Sequence, residues 1–150
     1  MLTPLQVVIV LTLFAVACWV FAFWRGGPAE RWGAAVIMAN VLLGLGVLAL
    51  GRAHPGPMGM LVQLTLDGVA AVAMLAILLR FGLLWLGVAM LLYAAQFTLQ
   101  SVYLVAGMKK DALHVFLNNI NFVAIHLALV VGTALAWRRR VRATSAVPAV

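Results

Sequence analysis

Residues 58–107 read MGMLVQLTLDGVAAVAMLAILLRFGLLWLGVAMLLYAAQFTLQSVYLVAG, an apolar run interrupted by a few polar side chains and by the triplet Arg80-Phe81-Gly82. As one helix, about 50 residues would extend roughly 75 Å at 1.5 Å per residue. The hydrocarbon core of a bilayer is only about 30 Å thick, so this run cannot be a single crossing. It has to be a hairpin of two. Arg80-Phe81-Gly82, near its middle, offers a charge and a glycine for the turn.

Composition agrees with that reading. The chain of 150 residues is 67% hydrophobic and 9% charged, with a mean hydropathy of +1.17. A soluble domain carries nearer a quarter charged residues, so lipid is the solvent this chain is suited to. Working outward from the hairpin, Pro4 to Trp24 is a first apolar segment, and Pro4 suits a first helical turn. A second runs from about Trp32 to Gly51, after a turn at Arg25-Gly26-Gly27-Pro28-Ala29-Glu30-Arg31. The prolines of Arg52-Ala53-His54-Pro55-Gly56-Pro57 separate it from the hairpin. Beyond the hairpin, Gly107-Met108-Lys109-Lys110-Asp111 is a loop, with Asp111 placed to cap the last apolar segment. The expected fold is therefore all-α, a single domain of five transmembrane helices over about 4–24, 32–51, 58–79, 83–106 and 112–137. The basic tail, 138–150, is expected to be disordered.

Five crossings put the termini on opposite sides. Arg25, Arg31, Arg80, Arg138, Arg139, Arg140 and Arg142 then share one side, and Arg52, Lys109 and Lys110 the other. The positive-inside rule predicts N-out and C-in, and the usage, rich in alanine, valine and arginine, suggests a bacterial inner membrane. The net charge of +7 thus belongs to topology and not to nucleic-acid binding. No Lys or Arg precedes the first apolar run, and Trp19 to Trp24 continues it past Cys18, so it reads as a retained helix and not a cleaved signal.

Asp67 is the only acidic residue inside any of these runs. A carboxylate at membrane depth costs a few kcal/mol and normally faces protein or water. Depth and spacing give it company. Gln63 and Asp67 are i,i+4 on one face, and Tyr93, Gln96, Gln100 and Tyr103 make one stripe of the fourth helix. His114, Asn118 and Asn121 make a stripe of the fifth, with Asn119, His126 and Thr133 beside it. Asn40 lies slightly deeper on the second helix. Polar groups in hydrocarbon need partners, so the expected intramembrane cluster is Asp67, Gln63, Gln96, Gln100, Asn118, Asn119, Asn121, His126, Tyr103 and Asn40, enclosed by the third to fifth helices.

Other chemistries find little support. His114 and His126 are rotated about 120° apart on a helix and cannot ligate one centre. A single axial bond from His126 to a pigment or haem is the only such arrangement the histidines allow, and no cofactor is otherwise implied. One cysteine, Cys18, precludes an intrachain disulfide. Neither Ser101 nor Cys18 has a base in register to make a nucleophile. Two functions of different class remain. The first is a non-catalytic subunit or assembly partner of a larger membrane complex, docked through its apolar faces and the glycines Gly44 and Gly46 to other subunits or to its own copies. The alternative is a small oligomeric proton-coupled transporter or channel with Asp67 as the coupling carboxylate.

Overall fold

The computed structural model describes residues 4–53, 58–108 and 111–145. Among these residues the chain is all-helical: α1 (Pro4–Arg25), α2 (Pro28–Ala53), α3 (Met58–Phe81), α4 (Leu84–Val105) and α5 (Ala112–Ser145). Each helix contains a stretch long and apolar enough to cross a membrane. The expected loop at 54–57, the lysine pair at 109–110 and the tail beyond 145 lie outside the described residues.

Consecutive helices pack against one another, α5 closes the ring against α1, and α2 also meets α5 across the middle. The core is small: Trp19, Ile37, Met74, Trp85, Leu86, Tyr93, Ile125 and Leu129 are its large members. Most of the apolar surface points outward, with Leu79, Leu84 and Val105 exposed at 79%, 85% and 87%. A water-soluble monomer rarely shows so much contiguous apolar surface. Lipid around the bundle would remove that cost.

The hairpin turns where the charge and glycine place it. Gly82 takes a left-handed φ of +64°, and its N–H donates to the Leu78 carbonyl at 2.7 Å. A side chain at that φ would strain the backbone, so glycine ends α3 there. The first connection is shorter than the sequence suggests. Expected to begin near Trp32, α2 begins at Pro28. The cause is a local cap: Pro28 stands at the first helical position, and Glu30 Oε2 accepts the Gly27 N–H at 2.8 Å. What reads as a charged loop is thus a helix start, with Glu30 buried.

The other departure is at the end of α5, which does not stop at Trp137. Residues 138–145, expected to be disordered, continue the helix. Arginine and alanine are good helix formers, and cations near a helix C-terminus oppose its dipole favourably. Arg140 also donates to the Arg25 carbonyl, tying this extension to the end of α1. Arg25 in turn lies over the rings of Trp24 and Trp137, at 4.4 and 4.7 Å from their centres.

One contact outside the sequence pattern locks three helices together. Trp85, in the first turn of α4, wedges its ring between α2 and α5. A Cβ on Gly33 would meet its Cη2 at 2.5 Å, and a Cβ on Gly132 would lie within 2.6 Å of its Cγ, Cδ1 and Cδ2. Glycine is required at both positions because the indole occupies the space a methyl would take.

Candidate polar cleft

Four helices wall a cleft of about 430 Å³. From α2 come Asn40, Val41, Gly44 and Leu45; from α3, Gln63 and Asp67; from α4, Tyr93, Gln96 and Gln100. The wall from α5 includes His114, Asn118, Asn121, Phe122 and His126. Counted along their helices, these residues fill the half of the bundle away from the arginine-bearing ends. His126 and Asn40 are the deepest. The i, i+3, i+7 spacing of the α4 stripe is what brings Tyr93, Gln96 and Gln100 to one buried face.

Asp67 is 2% exposed. Asn40 Nδ2 donates to its Oδ1 at 3.3 Å, and the Tyr93 hydroxyl lies near both. The carboxyl is therefore held from α2 and α4. The expected enclosure is by α3, α4 and α5, with Asn40 of α2 slightly deeper; in the structure α2 is a full wall of the site, and Gly44 lies against Gln63 of α3.

The α4–α5 seam is a second polar unit. Gln96 Nε2 donates to Asn118 Oδ1. Asn121 Nδ2 donates to Gln96 Oε1 at 3.0 Å and to the Leu92 carbonyl at 3.1 Å. Nearer the open end, His114 Nε2 lies 3.4 Å from Gln100 Oε1. These amides satisfy one another across the helices, as groups in hydrocarbon must.

His126 sits at the floor, 1% exposed. Its Nδ1 is 2.8 Å from the Phe122 carbonyl, to which an N–H at that position donates. Its Nε2 is buried and has no hydrogen-bond partner among the described residues. The rings of Phe122, Trp19 and Phe14 surround it, with centroids 4.3, 5.9 and 6.0 Å away.

Two residues expected in the cluster stand apart from it. Tyr103 lies a turn beyond the cleft, donating to Asp111 Oδ1 at 2.7 Å and meeting the His114 ring edge-on at 4.6 Å. The same Asp111 oxygen accepts the His114 backbone N–H at 2.8 Å and caps α5. Those two donors, the backbone N–H first, hold the Asp111 carboxyl below its usual pKa of 3.8. Asn119, half-buried, joins Phe116, Ile120 and Leu127 in a separate apolar depression. It is only about 20° around the helix from His126. That is enough to carry it past the edge where α1 packs.

Tyr93 and His114, which share the stripes but stand outside the expected cluster, line the cleft as well. Trp85 and Glu30 carried no such signal. Among the described residues, no group of three His, Cys, Asp or Glu side chains comes together to hold a metal. Chemically, the cleft offers one carboxyl, amides that both donate and accept, a phenol and one unengaged imidazole nitrogen, and its lining includes no Lys or Arg. Comparison of the chain with family models, curated proteins and solved structures returned no match.

Proposed function

We propose that this protein is a small multi-pass membrane transporter or channel, in which the cleft receives a small polar solute and Asp67 couples its passage to a proton. One observation carries the reading: a cleft of about 430 Å³ lined by Asp67, Gln63, Gln100 and the His126 imidazole. Amides that fix helix packing hydrogen-bond across the helices. Here the α4–α5 amides do pair, and a cavity remains beside them with Asp67 and Gln63 in its wall. A carboxyl at membrane depth beside such a cavity is the usual arrangement of a proton relay. With the arginine-rich end in the cytoplasm, the cleft opens outward.

The test is proton uptake into liposomes bearing the purified protein, read by a trapped pH-sensitive dye, on addition of a panel of small polar solutes. At least one solute should elicit uptake that Asp67→Asn abolishes while the variant elutes as the wild type does. Absence of uptake with every solute, or an unchanged response in Asp67→Asn, would overturn the reading.

The subunit reading keeps one specific support. A Cβ on Gly46 would meet nothing within 4 Å, which leaves a notch on the outer face of α2. Such notches admit a neighbouring helix. Mild detergent extraction at native expression level separates the two: a fixed stoichiometric companion favours the subunit, and a lone or self-associated species disfavours it.

A further inference from the structure

A second cavity, of about 880 Å³, runs along the outside of the α4–α5 seam toward the arginine-rich end. Its floor on α5 is Ala124, Ala128, Gly132 and Ala136, one small residue per turn. Val88 and Leu92 of α4 and Leu127 and Val131 of α5 stand on its sides. From Arg139 down to Ala124 it is about 22 Å long at 1.5 Å per residue. That exceeds the roughly 15 Å of core that one leaflet's acyl chain crosses.

Its mouth carries Arg139 and Arg140, both exposed, against the single carboxylate of Glu30. Glu30 directs one oxygen to the Gly27 N–H and is 2% exposed, so the guanidiniums dominate the accessible charge. Exposed Trp24 and Trp32, at 71% and 63%, flank that end of the bundle. Tryptophans in such positions mark the headgroup level. Trp85, 8% exposed, closes the inner wall of the groove with its ring carbons. The pyrrole side of that ring lies over Gly132 on the groove floor.

We infer that this groove is a binding site for one anionic phospholipid of the surrounding leaflet. The phosphate meets Arg139 and the Arg140 guanidinium, which also holds the Arg25 carbonyl, and one acyl chain lies along the apolar wall from Ala136 to Ala124. Charge decides for lipid over a partner helix. A helix would need to bring an acidic residue to the mouth, whereas every anionic phospholipid brings its phosphate to that depth already.

The experiment is native mass spectrometry of the detergent-purified full chain titrated with phosphatidylglycerol or phosphatidylcholine. The wild type should retain one phosphatidylglycerol at about tenfold lower concentration than phosphatidylcholine. Arg139→Gln and the Arg139→Gln/Arg140→Gln pair should progressively erase that preference. Ala128→Leu fills the groove, keeps the charges, and should lose retention of both lipids. Equal retention of the two lipids by the wild type would overturn the assignment. So would phosphatidylglycerol binding untouched by Ala128→Leu, or a dimer disrupted by Ala128→Leu with no lipid adduct. The arginine variants lie outside the polar cleft, so proton uptake through it should be unchanged in them. Loss of lipid selectivity and loss of transport are therefore read separately.

Discussion

Gly132→Ala adds one methyl where the structure has no room for it. The new Cβ would lie within 2.6 Å of three atoms of the Trp85 indole. Real carbon contacts sit near 3.5–4.0 Å, so the ring must retreat by about 1 Å. It cannot do so freely, because its far edge already occupies the space beside Gly33, where a Cβ would meet Cη2 at 2.5 Å. Overpacking of this kind costs about 1–3 kcal/mol, and a rigid ring braced on both sides belongs at the upper end. Replacing a mid-helix glycine by alanine returns about 1 kcal/mol through helix propensity. The net expectation is a loss of about 2 kcal/mol. For a chain of this size that corresponds to a melting point lower by roughly 4–8 °C. The assay is a thermal melt in detergent followed by size exclusion, on Gly132→Ala, Trp85→Leu and the double variant. Relief of the clash should make the double variant more stable than the sum of the single losses, with a coupling of at least about 0.5 kcal/mol. A Gly132→Ala protein as stable as the wild type would refute the wedge.

The seam and the cap give further expectations. Asn121→Leu removes donors to Gln96 and the Leu92 carbonyl, and should cost about 1 kcal/mol in the same melt. Asn119→Leu, on the outer face, should cost nothing measurable. Asp111 is depressed below 3.8 by the His114 N–H and then the Tyr103 hydroxyl. A carboxylate with a lowered folded pKa stabilises above its unfolded value and loses that contribution as pH falls through the folded one. The amide resonances of residues 112–115 should therefore report fraying of the first turn of α5 below about pH 3.8. Asp111→Asn should show no such transition.

The helices were legible because length and charge decide them. An apolar run of about 50 residues with one charged glycine turn admits only a hairpin in a roughly 30 Å core. Their ends were less so. Pro28 and Glu30 look like loop residues until the cap they form is seen, and the arginines after Trp137 look like a tail until their helix propensity and the Arg140–Arg25 contact are weighed. In the cleft, periodicity within one helix aligned Gln96 with Gln100 and Asn118 with Asn121. It could not say which helix faces Asp67, because that depends on how closely α2 approaches through Gly44. Asn119 shows the same limit in reverse: a rotation of about 20° decides between cleft and outer face, finer than a spacing rule resolves. The Trp85 wedge pairs residues on three helices and leaves no periodic trace.

Transport through the bundle requires that Asp67 stand in a water-accessible cleft open at the end opposite the arginines. Thiol accessibility tests this most directly, in intact cells, with Cys18→Ala as background. Asn118 lines the cleft, and Ile120, 51% exposed, lies two residues further along α5 on its outer surface. A membrane-impermeant maleimide added from outside should label Asn118→Cys and leave Ile120→Cys untouched, with the Asn118 reaction slowed by any solute that occupies the site. Equal labelling of both positions, or labelling of neither, would contradict the account.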